Sequence, residues 1–229
     1  MNAWRKRERE RLVAARLALD AAQLRALRTA IDAHLERAFP GLAQGTLGLC
    51  WPYRNEYDAR FLARRLRERG AQTALPVVLG PRQPLEFRLW APGVALARGV
   101  YDIPYPAHSP AVRPGVLLLP MNGFDAAGFR LGYGGGYFDR TLSAMRASGS
   151  AANTVAIGVG YECARLPSIH PQEHDIPMDY VVTERGVYAR GTDGLALLEA
   201  PKIAPAPAGY SSPACLAHEI APDYYGPRD

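Results

Sequence analysis

The chain has 229 residues, of which 48% are hydrophobic and 21% charged, and its formal net charge is +5. These proportions are typical of a folded globular protein and exclude a wholly disordered chain. Apolar runs such as residues 116–121 are far shorter than the roughly 18 residues of a membrane span, and the charged start lacks the apolar stretch of a secretory signal. The cysteines Cys50, Cys163 and Cys215 are odd in number and far apart, which predicts no disulfide framework and favours the cytoplasm.

Positive charge is concentrated in the first third of the chain. Residues 1–69 carry 15 basic and 8 acidic side chains, whereas residues 70–229 carry 12 and 14. Such a segment is typical of a nucleic-acid surface or of a site for small anions. Any single arginine in it can also belong to a solvated helix face. No RNA-binding module or strip of stacking aromatic residues accompanies it. An arginine-rich RNA-binding protein is therefore an alternative that salt-dependent RNA binding would favour.

Helical spacing and apolar runs alternate along the chain. Four helices are predicted, at residues 4–19, from the capping box Asp20-Ala-Ala-Gln23 to Pro40-Gly41, at residues 56–69, and at residues 137–147. Six strands are predicted, at residues 46–51, 72–78, 86–90, 116–119, 153–159 and 180–183. The second and third strands are joined by a Pro/Gly-rich connection that indicates an antiparallel pair. The pattern predicts an α/β fold with an open, mostly parallel or mixed sheet flanked by helices.

The predicted organisation is a single α/β domain over residues 1–200, followed by a tail over residues 201–229. The tail is rich in proline and alanine and shows little periodicity. We therefore expect it to be mobile rather than folded.

A glycine-rich loop lies between the predicted strand at 116–119 and the helix that begins at residue 137. The loop contains Gly132, Gly134, Gly135 and Gly136, which lack the Cβ atoms that would keep a ligand away from backbone N–H groups. With the amino end of the helix, it predicts an anion cradle whose favoured guest is phosphate. No lysine follows as in a Walker loop, and Tyr137 stands where the dinucleotide fingerprint needs its third glycine.

Charged residues flank this loop on both sides. Arg130 and Arg140 can pair with phosphate oxygens, and a carboxylate beside a phosphate cradle, such as Asp139, suits a Mg²⁺ ion.

The run Arg130-Leu-Gly-Tyr-Gly-Gly-Gly-Tyr-Phe-Asp-Arg140 closely resembles the signature of the 5-formyltetrahydrofolate cyclo-ligase family, with Phe138 in place of the usual tyrosine. Other motifs agree in order and spacing, namely Leu75-Pro-Val-Val78, Pro84-Leu-Glu-Phe-Arg88, Tyr101-Asp-Ile-Pro104 and His174-Asp-Ile-Pro-Met-Asp179. The resemblance covers roughly residues 4–190.

The resemblance implies a fold like that of sugar-phosphate isomerases and CoA transferases. It also implies a ligase of one-carbon metabolism that uses ATP and Mg²⁺ to cyclise 5-formyltetrahydrofolate to 5,10-methenyltetrahydrofolate, with release of ADP and phosphate. In that family the γ-phosphoryl group moves to the formyl oxygen, N10 attacks, and phosphate departs. The implied partners are these small molecules, with no nucleic acid or membrane, and a monomer is favoured.

The resemblance further implies the site residues. The nucleotide contacts are Arg5, Arg9, Arg130, Leu131, Gly132, Tyr133, Gly134, Gly135, Gly136, Tyr137 and Phe138. Arg130 and Tyr137 are the implied catalytic residues. The folate contacts are Trp51, Glu56, Tyr133 and Tyr137. The magnesium ligands are Asp139 and Asp175. Arg5 stands where the family has a lysine. Asp179 is a weaker candidate for the metal than Asp139 and Asp175, because it can simply cap or turn the chain. Glu56 can also be a carboxylate that stabilises the start of a helix.

Two enzyme alternatives stay open. His170-Pro-Gln-Glu-His174 matches the inverted zinc-peptidase motif, which requires a helix, although three prolines crowd this segment. Stoichiometric bound zinc would favour that reading. The other alternative is a related α/β enzyme that acts on a sugar phosphate or a CoA ester without ATP.

Overall fold

A computed structural model describes residues 2–147 and 154–198. Its α-helices are α1 (Asn2–Leu17), α2 (Ala21–Ala38), α3 (Arg60–Glu68) and α4 (Tyr137–Ala147). Its strands are β1 (Thr46–Gly48), β2 (Gln72–Val77), β3 (Glu86–Leu89), β4 (Leu96–Arg98), β5 (Pro104–Pro106), β6 (Ala111–Val112), β7 (Val116–Pro120), β8 (Gly123–Asp125), β9 (Arg130–Leu131), β10 (Val155–Val159), β11 (Arg165–Leu166), β12 (Tyr180–Thr183), β13 (Gly186–Gly191) and β14 (Gly194–Leu197). Short 3₁₀ turns cover Pro40–Gln44, Val100–Asp102 and Glu162–Ala164.

Nine of the described strands form one mixed sheet in the order β14-β13-β12-β10-β7-β1-β2-β3-β6. The five central strands, from β12 to β2, are parallel, and antiparallel strands extend both edges. The predicted mixed α/β sheet and its antiparallel pair β2–β3 are confirmed. The chain proceeds from β1 to β2 in one direction and from β7 to β10 in the other, so the strand order reverses between β1 and β7. In open α/β sheets, ligands bind outside the carboxyl ends of the strands at such a switch point.

Helices cover both faces of the sheet because its central strands are apolar on both sides. In β7, Leu118 packs with residues of α2 and α3 such as Ile31 and Leu62. Its neighbours Leu117 and Leu119 belong to the opposite core with Leu142 of α4. Alternate side chains of a strand point to opposite faces, so one leucine run serves both cores.

The segment between β1 and α3 differs from the prediction. β1 ends at Gly48 rather than near residue 51, and α3 begins at Arg60 rather than at residue 56. Between them Arg54 and Asn55 have φ values of 50° and 57°, a left-handed conformation that neither a strand nor an α-helix accommodates. The irregular segment over residues 49–59 consequently lies at the carboxyl edge of the sheet.

A smaller sheet, β11-β8-β9, lies beyond the end of β7 and supports α1. Its residues Leu131 and Leu166, with Ala164 of the preceding 3₁₀ turn, pack against Leu12 of α1. This arrangement places the arginines of α1 over the carboxyl edge of the large sheet.

Two predicted features lie outside the described residues, namely the start of a strand at residue 153 and the tail over residues 201–229. The boundary between domain and tail near residue 200 stays a prediction. Within residues 2–147 and 154–198, no helix is long and apolar enough to cross a membrane.

Candidate active site

A cavity of about 530 Å³ opens at the switch point of the sheet. Residues at or just beyond the carboxyl ends of β1, β2 and β7 line it, among them Trp51, Val78 and Pro120. The glycine loop and the amino end of α1 form its walls. The predicted site residues that line this cavity are Arg5, Arg9, Trp51, Glu56, Arg130, Gly132, Tyr133, Gly134, Gly135, Gly136, Tyr137, Phe138, Asp139 and Asp175.

Leu131 is the exception among the predicted nucleotide contacts. Its side chain is fully buried in the cluster around Leu12 and does not line the cavity. The reason is the pairing of β9 with β8, which turns this side chain into the core while its neighbours face the cavity. The side chain of Leu131 is therefore a packing group, and the predicted nucleotide contact of this residue stays a prediction for its backbone.

The glycine loop connects β9 to α4. Gly134 and Gly136 have φ values of +96° and +62°, which a residue with a Cβ adopts only at a cost. The loop ends where α4 begins, so the unpaired N–H groups of the first helical turn lie beside it. The observed backbone has the elements of the predicted anion cradle.

Two arginines of α1 reach this loop from one face of the helix. The Nε of Arg9 donates to the carbonyl oxygen of Gly132 at 2.6 Å, and Arg5, one turn earlier, lines the same cavity. Burial and the adjacent charge of Arg5 lower the pKa of Arg9. Two guanidinium groups held this close favour an anion between them and the loop.

Buried donors without partners mark the same end of the cavity. The Nε groups of Arg5 and Arg130, which both line the cavity, are buried and have no hydrogen-bond partner among the described residues. Buried polar groups are normally satisfied. The unpaired donors therefore fit a site that receives an anionic ligand.

The predicted magnesium carboxylates lie in this cavity as ion pairs. Asp139 Oδ2 is 3.0 Å from Nη2 of Arg130, and Asp175 Oδ2 is 2.8 Å from Nη2 of Arg5. Asp139 also accepts from the backbone N–H of Ile176, next to Asp175, at 3.3 Å, so both carboxylates belong to one wall. No cluster of three or more His, Cys, Asp or Glu that could hold a metal occurs within the described ranges. A Mg²⁺ ion that is bound with a nucleotide needs only one or two protein carboxylates, and this pair fits that requirement.

Asp179, the weaker metal candidate, hydrogen-bonds to neighbouring elements of the fold. Its Oδ2 accepts from the backbone N–H of Ala156 at 2.8 Å, and its Oδ1 accepts from Arg146 at 3.3 Å. It ties the start of β12 to β10 and does not line the cavity.

Glu56 is buried at the other end of the cavity. Its Oε2 accepts from the backbone N–H of Tyr53 at 3.0 Å, and its Oε1 accepts from the hydroxyl of Tyr133 at 3.1 Å. Burial raises the pKa of Glu56 to about 7, and the nearby charge of Arg16 limits that rise. Glu56 precedes α3 by four residues, so it is not the carboxylate of a helix start.

Aromatic rings surround Glu56. Trp51 lines the cavity and meets the buried Trp90 edge to face at 5.8 Å, and Trp90 is a core residue. Tyr53 stacks on Tyr101 at 6.1 Å and meets Tyr133 at 5.7 Å. Such rings can hold a flat heterocycle by stacking. Tyr53 and Tyr101 were missed as site residues, although Tyr101 belongs to a motif that supported the resemblance.

The zinc-peptidase alternative lacks its required helix. Residues 170–172 have no regular secondary structure, residues 173–174 form a turn, and His170 has a φ of 51°. His170 packs its ring against Trp4, whereas His174 lines the cavity. Two ligands at that spacing converge on one ion only from a helix.

The fold and the site define an open α/β protein with a cavity lined by arginines and a glycine loop at its switch point. A sequence profile of the 5-formyltetrahydrofolate cyclo-ligase family matches residues 1–184. The chain belongs to this family and is a ligase, which confirms the resemblance that the motifs indicated.

Individual proteins show the same relationship. A protein named 5-formyltetrahydrofolate cyclo-ligase from Mycolicibacterium smegmatis is 34% identical over 148 residues, which cover 60% of this chain and 73% of the relative. A protein of the same name from Escherichia coli is 37% identical over 79 residues, 34% of this chain and 41% of the relative. The solved structure of Aquifex aeolicus 5,10-methenyltetrahydrofolate synthetase has a TM-score of 0.68 at 26% identity and covers 85% of this chain and 96% of its own. The solved structure of the Mycoplasma pneumoniae 5,10-methenyltetrahydrofolate synthetase has a TM-score of 0.62 at 20% identity and covers 79% of this chain and 98% of its own. This likeness supports the fold.

Proposed function

We propose that the protein catalyses the ATP- and Mg²⁺-dependent cyclisation of 5-formyltetrahydrofolate to 5,10-methenyltetrahydrofolate, with release of ADP and phosphate. The observation that carries the proposal is the division of one cavity into a cationic glycine-loop end and an end with a buried carboxylate and aromatic rings. A reaction that transfers a phosphoryl group from a nucleotide to a heterocycle with N–H donors needs both ends. Family membership supports the same reaction.

The glycine-loop end suits the triphosphate. Backbone N–H groups of the loop and of the first turn of α4 can donate to phosphate oxygens, and Arg9 already lies against the loop. Arg5 and Arg130 can turn from their carboxylates towards the phosphates as these arrive. Asp139 and Asp175 would then hold Mg²⁺, which, when bound, offsets the negative charge of the phosphates.

The aromatic end suits the folate. An ionised Glu56 can accept hydrogen bonds from the amino and ring N–H groups of the pterin, and Trp51 can cover its face. Tyr133 and Tyr137 stand between the two ends, beside the point where the formyl oxygen would meet the γ-phosphate. Transfer of the phosphoryl group to that oxygen makes it a leaving group, and attack by N10 then closes the ring, expels phosphate and loses the N10 proton. The protein's task is to position the reactants and to stabilise the transferred charge.

The decisive experiment follows the methenylfolate absorbance band with 5-formyltetrahydrofolate, ATP and Mg²⁺, and omits each component in turn. We expect the band to grow only in the complete mixture, with one ADP for each methenylfolate. Growth without ATP, or ATP hydrolysis without methenylfolate, would refute the proposal. We expect the enzyme to act in the cytoplasm, because its cysteines form no disulfide framework in the sequence, and as a monomer, as the family resemblance implies.

A further inference from the structure

Arg16 of α1 lies behind the cavity and is almost fully buried, with 5% of its surface exposed. Its Nε donates to the carbonyl oxygen of Arg54 at 2.7 Å, and its Nη1 donates to that of Met121 at 3.4 Å. Its Nη2 donates to the hydroxyl of Tyr133 at 2.8 Å and lies 3.9 Å from Oε1 of Glu56. One guanidinium group thus joins α1 to three separate segments around the site.

Each of these segments lies outside regular secondary structure, so side-chain hydrogen bonds such as those of Arg16 fix its geometry. Arg54 belongs to the irregular stretch after β1, Met121 follows β7, and Tyr133 belongs to the glycine loop. A buried guanidinium is stable only when its donors are satisfied, and its rigid planar fork fixes the directions of its acceptors. A lysine has three donors on a flexible stem and cannot reproduce this arrangement.

The network also sets the direction of a proton. Because Arg16 donates to the oxygen of Tyr133, the single hydroxyl proton of Tyr133 is left for Glu56, 3.1 Å away. Glu56 receives one further bond from Tyr53. A carboxylate has about four acceptor sites, so two remain for a ligand.

We propose that Arg16 is a positioning residue of the cyclo-ligase reaction, which holds the Glu56 carboxylate and the Tyr133 hydroxyl in the arrangement that receives the folate. It acts through those two residues and does not line the cavity itself. The inference rests on the proposed function, because it requires Glu56 to contact the folate.

The groups around Glu56 determine the pH dependence that follows. Arg16 faces it from α1, Tyr133 from the glycine loop, Cys50 from the end of β1 and Tyr161 from the end of β10. Arg16 is the cation in this set. Its loss would remove an attraction that favours the ionised carboxylate, so folate binding would require a higher pH.

The test measures binding of 5-formyltetrahydrofolate and of ATP separately by calorimetry between pH 6 and 9. For Arg16→Gln we expect folate affinity at pH 7 to fall about ten- to a hundred-fold, to recover partly at high pH, and ATP affinity to change less than about threefold. Arg16→Lys should restore the pH profile in part, because it keeps the charge. Arg11→Gln, on the exposed face of α1, is the matched control and should bind like the parent.

An unchanged pH profile and affinity in Arg16→Gln would overturn the inference, as would equal loss of both ligands at every pH in a folded variant. If Arg16→Gln does not fold, Tyr133→Phe replaces it. That variant keeps the ring and should show a smaller shift in the same direction, and a parental profile would again overturn the inference. Failure of the parent enzyme to form methenylfolate would instead refute the proposed function.

Discussion

Replacing Gly135 tests the phosphate cradle most directly. A Cβ at this position would lie 2.9 Å from Cδ2 and 3.0 Å from Cε2 of Tyr137, closer than carbon atoms normally approach. The ring of Tyr137 must therefore move. Pushing a side chain off its rotamer costs about 0.5–1.5 kcal/mol, so Gly135→Ala should lower the free energy of unfolding by about that amount.

Gly135→Val should affect nucleotide binding more than stability. Its two methyl groups add bulk where backbone N–H groups must approach the phosphates, and we expect ATP affinity to fall at least about tenfold, or about 1.4 kcal/mol. Gly135→Lys should retain more activity than the valine variant, because its flexible stem can turn the ammonium group towards the phosphates. Affinity is measured by calorimetry and unfolding by urea titration.

Gly45 provides the matched control, since a Cβ there would meet nothing within 4 Å. Gly45→Val should bind ATP like the parent. Parental ATP affinity in folded Gly135→Val would refute the cradle.

Three further predictions concern the carboxylates. Glu56→Gln should weaken 5-formyltetrahydrofolate binding about 10- to 150-fold and ATP binding little, since a charge-assisted acceptor is lost; equal loss of both ligands in calorimetry would make Glu56 structural. Asp139→Asn and Asp175→Asn should each raise the Mg²⁺ concentration that half-maximal turnover requires, and an unchanged titration in both would remove them from the metal site. Because the pKa of Glu56 is raised from 4.5 to about 7, the stability it contributes is complete below about pH 4.5 and is lost as pH rises to about 7. The parent should lose roughly 3 kcal/mol of unfolding free energy over that interval, and Glu56→Gln should not; identical pH profiles in denaturant titrations would contradict this.

Elements with strong local determinants could be predicted from the sequence. α4 has the predicted bounds, because the glycine loop marks its start and the apolar spacing fixes its face. The capping box at Asp20 and Gln23 is present as predicted, with both hydrogen bonds formed. The motifs and the loop were sufficient to identify the family and about half of the residues that line the cavity.

Features that depend on tertiary contacts could not be predicted. The two-residue strands β9 and β11 have no periodicity to detect, and the pairing of β9 buries Leu131. Arg16 resembles its neighbouring arginines in the sequence, and only the folded chain shows that its partners come from distant segments.

The basic first third of the chain likewise has an explanation that composition could not supply. Arg28 and Arg65 both pair with the buried Asp32 at 3.1 Å, so part of the charge joins α2 to α3. Arg5 and Arg9 line the cavity. The positive charge of these four residues serves internal contacts and the cavity.

The attachment of α1 has a consequence for motion. Its buried side chains are Arg5, Leu12, Val13 and Arg16, so half of its anchors are arginines and its apolar contact is small. Segments with few buried apolar contacts open locally more readily than the core, and their amide hydrogens exchange sooner with solvent. Arg5 and Arg16 are about 16 Å apart along one helix, and therefore a single opening of α1 withdraws cationic groups from both ends of the cavity. Hydrogen exchange along the whole of α1 should slow when either ATP or the folate binds, and we expect each substrate thereby to stabilise the other's half of the site.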